Sequence, residues 1–155
     1  MKTMVRERVT HHLKLGETED SKTKVKYVHC TYPDGIKVSE LNMKTVKHAE
    51  IRISVTMQDD IIWTSDKPFS IDLTPREKAE ELFFRNKFPW NSVESLIDHK
   101  HRVHSGALDP SAQKTVEDAK GRCILLKFTA TRLVSTNGPR NNGVKVLDPH
   151  VIVDP

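Results

Sequence analysis

Apolar and polar residues alternate along much of this chain. The alternation is cleanest at Ile51, Ile53, Val55 and Met57, which are separated by Arg52, Ser54, Thr56 and Gln58. Successive side chains of a strand point to opposite faces, so residues 51–57 predict a half-buried strand. Val5, Val9, Leu13 and Leu15 share one parity and predict a strand over residues 5–15, followed by a polar loop at 16–22. Val25 and Tyr27 mark a strand over residues 23–31. Tyr32-Pro33-Asp34-Gly35 then reads as a turn, because proline presets φ and glycine accepts a positive φ. A short strand from Ile36 to Ser39 follows. Asp59-Asp60 reads as a turn into a strand over Ile61 to Thr64. Ser65-Asp66-Lys67-Pro68 interrupts the pattern before it resumes at Phe69, Ile71 and Leu73.

The period then changes. Thr74-Pro75-Arg76-Glu77 has the form of a capping box with proline at the first helical position. Ala79, Leu82 and Phe83 follow at helical spacing, so residues 75–86 predict a helix that Lys87-Phe88-Pro89-Trp90 ends. Residues 91–120 carry weaker signals. Val93 and Leu96 suggest a helical turn, Arg102-Val103-His104 a strand, and Ala107 to Lys120 a polar loop or short helix. Gly121-Arg122 opens a long strand from Cys123 to Thr131. Residues 135–143 form a Gly/Asn-rich loop, and Val144–Leu147 and Val151–Val153 are two closing strands. Short strands punctuated by turns predict an antiparallel β-sandwich with one inserted helix at 75–86. The whole chain, residues 1–155, reads as one domain. Residues 1–49 supply its N-terminal strands and loops, and residues 74–120 form a helix-containing insertion.

Charge narrows the range of partners. The net charge is +4, but the 25 basic and 21 acidic residues are interleaved along the chain. Nucleic-acid binding relies on a concentrated basic patch, so nucleic acid ranks third among the expected partners, behind a protein and a metal. No apolar run reaches the roughly 18 residues that span a bilayer, and the N-terminal stretch has no apolar signal core. The expectation is a cytoplasmic protein without a membrane partner.

Few residues suggest chemistry. Cys30 and Cys123 lie far apart, outside any zinc-ligand spacing, and predict two buried free thiols, with an inter-sheet disulfide as the alternative. His99, His101 and His104 are the best metal candidates, because neutral imidazole binds zinc, copper or nickel. In an extended segment His99 and His101 share a face and His104 does not; His11-His12 splits between faces in the same way. Ser70, Asp72 and the Ser105-Gly106 pair beside His104 contain the residue types of a nucleophilic triad, but such a triad is defined by geometry. GxSxG, HExxH, GxGxxG and P-loop signatures are all missing. The chain therefore reads as non-enzymatic. Trp63 alternates with apolar neighbours and reads as core. The densest aromatic stretch, with Phe84, Phe88 and Trp90, is the candidate partner surface.

Three segments together carry a family resemblance: "IRISVTMQDDIIWTSD", the turn-strand "KPFSIDL", and the glycine-led strand "GRCILLKFTA" with the closing "LDPHVIVDP". They cover roughly half the chain and resemble the cupredoxin-like Greek-key β-sandwich, the fold of small blue-copper proteins. Immunoglobulin-like sandwiches share much of the pattern. The resemblance implies two imidazoles, a thiolate and a thioether as copper ligands. In the family the first histidine follows the turn after the tryptophan-bearing strand, where this chain has Pro68-Phe69-Ser70-Ile71. The remaining ligands come from a Cys–His–Met loop after the glycine-led strand, and residues 133–147 contain none of the three. The expectation is a cupredoxin-like binding or structural module without a blue-copper site, with Phe69 filling core space. It has no resident cofactor and takes a protein partner. The alternative is a zinc- or copper-binding protein that uses His99, His101 and His104.

Overall fold

The computed structural model describes residues 7–19, 21–22, 26–31, 37–41, 46–48, 50–87, 90–119, 124–134, 143–147 and 150–154. Strands β1 (Thr10–Glu19), β2 (Lys26–Thr31), β3 (Lys37–Leu41), β4 (Val46–His48), β6 (Asp60–Ser65), β9 (Val93–Glu94) and β10 (His101–His104) form one sheet. Their order is β4-β3-β2-β1-β6-β10-β9. Strands β5 (Glu50–Ser54), β7 (Phe69–Thr74), β8 (Trp90–Asn91), β11 (Ile124–Val134) and β13 (His150–Asp154) run β5-β13-β11-β7-β8 in the other. The sixth strand of that sheet, β12 (Gly143–Leu147), pairs with β11. Each sheet contains one parallel pairing, β1 with β6 and β5 with β13, among antiparallel ones. The result is an all-β sandwich with a small helical insertion.

Alternation explains the facing surfaces. Leu13 and Leu15 of β1, Ile61, Trp63 and Ser65 of β6, and Phe69, Ile71 and Leu73 of β7 are buried. So are Ile124, Leu126, Phe128, Ala130 and Arg132, which share one parity of β11. Trp63 from one sheet meets Phe128 from the other edge-to-face, with ring centroids 4.1 Å apart. Such aromatic pairs contribute about 0.5–1.5 kcal/mol beyond the area they bury. Phe69 lies in this core, as the sequence predicts. Cys30 is a free, buried thiol; its expected companion, Cys123, lies outside the described residues, as does the Tyr32–Gly35 turn.

Several boundaries differ from the pattern-based expectation. β1 runs through Glu19, where a loop was expected from residue 16, because Gly16 to Glu19 pair with His29 to Lys26 of β2. The His29 ring packs over Gly16, where a Cβ would stand 2.8 Å from it, so a larger residue would have to displace that ring. β5 ends at Ser54, and Val55–Gln58 turn, with Gln58 at φ 59°. The first helix, α1 (Arg76–Leu82), is shorter than residues 75–86, and the capping box does not form. Thr74 is held in the β7–β11 ladder opposite Lys127, so Pro75 takes the cap position instead. Phe83 adopts a left-handed conformation at φ 47°, and Phe84 bridges to Leu108. A second helix, α2 (Ala112–Glu117), lies within Ala107–Lys120, where the sequence left a polar loop and a short helix both open. Its Ala112 and Val116, one turn apart, bury into the cluster that holds Ala79 and Leu82 of α1.

Candidate functional site

β6 carries a polar cluster at each end of its apolar middle. At the first end, Asp59 and Asp60 are 1% and 2% exposed, so they are not the solvated turn that their composition suggests. Asp59 accepts the backbone N–H groups of Val9 and Ser54, both at 2.9 Å, and so ties the start of β1 to the end of β5. Asp60 accepts from the Arg8 guanidinium at 2.7 Å, the Thr10 hydroxyl at 2.7 Å and His104 Nε2 at 2.6 Å. Burial raises the Asp60 carboxyl, but these three hydrogen bonds and the Arg8 charge together outweigh it and hold the group below its ordinary value. Beside it, the buried Ser105 hydroxyl accepts from the Ile61 N–H and donates to the Gly106 carbonyl. Ser105 is therefore engaged with backbone, and no Ser–His–Asp relay is assembled around His104.

At the other end Ser65 and Asp66 meet Arg132, which is 1% exposed. Its Nε donates to the Ser65 hydroxyl at 2.8 Å, one terminal nitrogen donates to Glu17 at 3.3 Å, and the other donates to Asp66. Burial raises the Asp66 carboxyl, and the Arg132 hydrogen bond and charge bring it below its ordinary value. The interrupting Ser65-Asp66-Lys67-Pro68 segment thus supplies partners to a buried cation from the opposite sheet. Sequence reading missed Arg132. The signal was present: the inward parity of Leu126, Phe128 and Ala130 runs on to residue 132.

The aromatic stretch divides: Phe83 is 62% exposed, but the candidates Phe84 and Trp90 are covered. Phe84 is 6% and Trp90 5% exposed, and their rings meet edge-to-face at 5.3 Å. The Trp90 indole donates to the Asn86 carbonyl at 2.7 Å. Both candidates are corrected to core residues, since β8 lies against β7 and turns Trp90 inward. Phe88, the third, lies outside the described residues. The most exposed apolar surface sits a few residues further on. Leu96 and Ile97, each 94% exposed, form the tip of the β9–β10 hairpin, and Val93, three residues earlier, is 72% exposed.

That tip is tightly tied. The Ser95 N–H donates to the Lys100 carbonyl at 2.8 Å, and the Ile97 N–H donates to the Ser95 hydroxyl. Asp98 accepts from the Lys100 N–H and, through both oxygens, from Arg102. The Arg102 hydrogen bonds, followed by that of Lys100, draw the Asp98 carboxyl down to about 2.

The three candidate metal ligands are not brought together. His99 lies in the turn at φ 55°, near Glu94. His101 and His104 lie on opposite faces of β10, and His104 is engaged by Asp60. Among the described residues no three His, Cys, Asp or Glu side chains are grouped to hold a metal ion. Phe69, at the position where the resemblance implies a first copper ligand, points into the core and its N–H donates to the Ser92 hydroxyl. No helix among the described residues is long and apolar enough to cross a membrane. No family model matches the chain, and no curated protein is significantly similar to it.

Proposed function

We propose that this chain is a non-enzymatic binding module of cupredoxin-like, Greek-key build, without blue-copper chemistry, that takes a protein partner on its β9–β10 hairpin. The observation that carries the reading is the pair Leu96 and Ile97, each 94% exposed at a hydrogen-bonded tip. Scattered exposed aliphatics are ordinary, but two adjacent ones at a hairpin tip, with Val93 exposed three residues earlier, offer an anchor for an apolar pocket. The Asp98 and Ser95 hydrogen bonds hold that anchor in shape, which lowers the ordering cost of binding. Support for the cupredoxin-like build comes from placement: of the strands in the resembling segments, β5, β13, β11 and β7 are consecutive neighbours in one sheet, and the tryptophan-bearing β6 lies in the other. The free thiol of Cys30 fits a reducing, cytoplasmic setting.

The test is a double substitution, Leu96→Asp with Ile97→Asp. Both side chains face solvent, so stability should stay within about 0.5 kcal/mol of wild type. Affinity capture followed by quantitative mass spectrometry should then lose the partner that the wild-type protein retains. Identical captured sets from wild type and variant would sink the reading.

A further inference from the structure

We propose that the cleft between Arg8, Arg85 and His104 binds a small oxyanion of the phosphate class. The cleft encloses about 410 Å³ and is lined in part by Arg8, Gln58, Asp60, Arg85, Asn86 and His104. Two guanidiniums and a protonatable imidazole face one lining carboxylate, so the site carries surplus positive charge. That carboxylate, Asp60, is already engaged. One oxygen accepts from Arg8 and His104 and the other from Thr10. Asp60 is therefore a positioning residue: it fixes Arg8 and His104 while both keep solvent-facing surface, 56% and 50% exposed.

Arg85 is set in place from the backbone. Its N–H donates to the Ala107 carbonyl at 3.0 Å, and the next N–H, of Asn86, donates to the Ser105 carbonyl at 3.2 Å. The Asn86 side chain also donates to the His104 carbonyl, which joins the two flanks of the cleft. Gly106 turns at φ +69°, and a Cβ there would stand 2.7 Å from the Arg85 Cβ. Only a residue without a side chain lets Arg85 cross at this point. Among the described residues the Arg85 guanidinium has a single long contact, 3.4 Å to the Gln58 amide oxygen, which leaves most of its N–H fork available. Asp109 feels the Arg85 charge, but it accepts the Ser111 N–H and does not line the cleft.

The donor set defines the ligand. Guanidinium forks match the paired oxygens of phosphate and carboxylate alike. Two forks together with an imidazole offer more donors than one carboxylate accepts, and a tetrahedral oxyanion with several free oxygens uses them.

The experiment titrates inorganic phosphate, phenyl phosphate and acetate in parallel into the full chain at low, constant ionic strength, followed by amide chemical shifts. Phosphate and its ester should give saturable shifts at residues 85–86 and 104–107, with acetate clearly weaker. Arg85→Gln and Gly106→Ala should each weaken phosphate binding about tenfold, the loss expected for one charge-assisted hydrogen bond. Arg52→Gln, which removes a surface arginine paired with Asp154, should leave binding unchanged. Non-saturable shifts, equal affinity in Arg85→Gln, or acetate binding as tightly as phosphate would each overturn the assignment. Loss of the hairpin's protein partner in the Leu96→Asp, Ile97→Asp variant is a separate readout and does not bear on this site.

Discussion

Asp60 has almost no solvent contact, yet the environment favours its charged form. Its partners lie 52, 50 and 44 positions away in the chain, at Arg8, Thr10 and His104. A local pattern cannot register contacts at that range, and an acidic pair after a strand is ordinary turn composition. The Asp60 carboxyl is depressed relative to its ordinary value of 3.8. Its contribution to stability is therefore complete above the unfolded-state value and is lost as pH falls through the lower folded-state value. Asp60→Asn is expected to cost about 1–3 kcal/mol at neutral pH, because the charge-assisted hydrogen bonds weaken. The gap to wild type should begin to narrow as pH falls below about 4, where the unfolded-state carboxyl takes up its proton, and close as pH passes through the lower folded-state value. Urea unfolding of both proteins at neutral and acidic pH checks this; an equal loss at every pH would show that ionisation of Asp60 plays no part.

Among the elements, the insertion shows how composition misleads when partners are non-local. Phe84 and Trp90 form an aromatic concentration that reads as a sticky surface. The bridge from Phe84 to Leu108 and the pairing of β8 with β7 turn both rings inward. Phe83 beside them stays largely in solvent, and the most exposed apolar residues are the aliphatic pair Leu96 and Ile97, just before the His99–His104 run. Trp90→Ala should therefore lose about 3–5 kcal/mol by opening a cavity, as large aromatic truncations in cores do. Leu96→Ala should change stability by less than about 0.5 kcal/mol. Chemical denaturation of the two variants ranks them directly, and the reverse order would contradict the burial described here. The helices follow the same logic. Thr74-Pro75-Arg76-Glu77 is a sound helix-start signal, but ladder pairing holds Thr74 extended, and tertiary pairing overrides the local cap.

Across the whole molecule, β6 joins two polar clusters through an apolar span. Ile61 and Trp63 fill the space between the sheets, with Asp60 at one end of the strand and Ser65 at the other, about 16 Å apart at ~3.3 Å per residue. Arg132 reaches Ser65 from the facing sheet and contacts Glu17 on β1, so this cluster bridges both layers. Removing one member of a buried charged set leaves its partners uncompensated, and Arg132→Met should cost about 3–5 kcal/mol. The two clusters share no residue. The Asp60→Asn, Arg132→Met double variant should therefore lose the sum of the single losses to within about 0.5 kcal/mol. Equilibrium unfolding of the four proteins in the cycle measures this, and a coupling well above that value would show that β6 transmits strain between its ends.

Alternation predicted a β-sandwich, its longer strands and which residues of β1, β5, β6 and β7 face inward, while the short strands β4, β8 and β9 left no such pattern and Val93 of β9 read as a helical turn. Alternation also marked Phe69 as core at the position where the resembling family places a copper ligand. These features are legible because a pleated strand converts a period of two directly into burial. The tertiary structure decided which carboxylates are buried, which arginine crosses between the sheets, which aromatics are covered, and that Arg8, Arg85 and His104 line one cleft. Those outcomes depend on register and on pairing between residues far apart in the chain. Neither leaves a periodic trace, because the side chain that satisfies a buried charge can come from any strand that the fold places beside it.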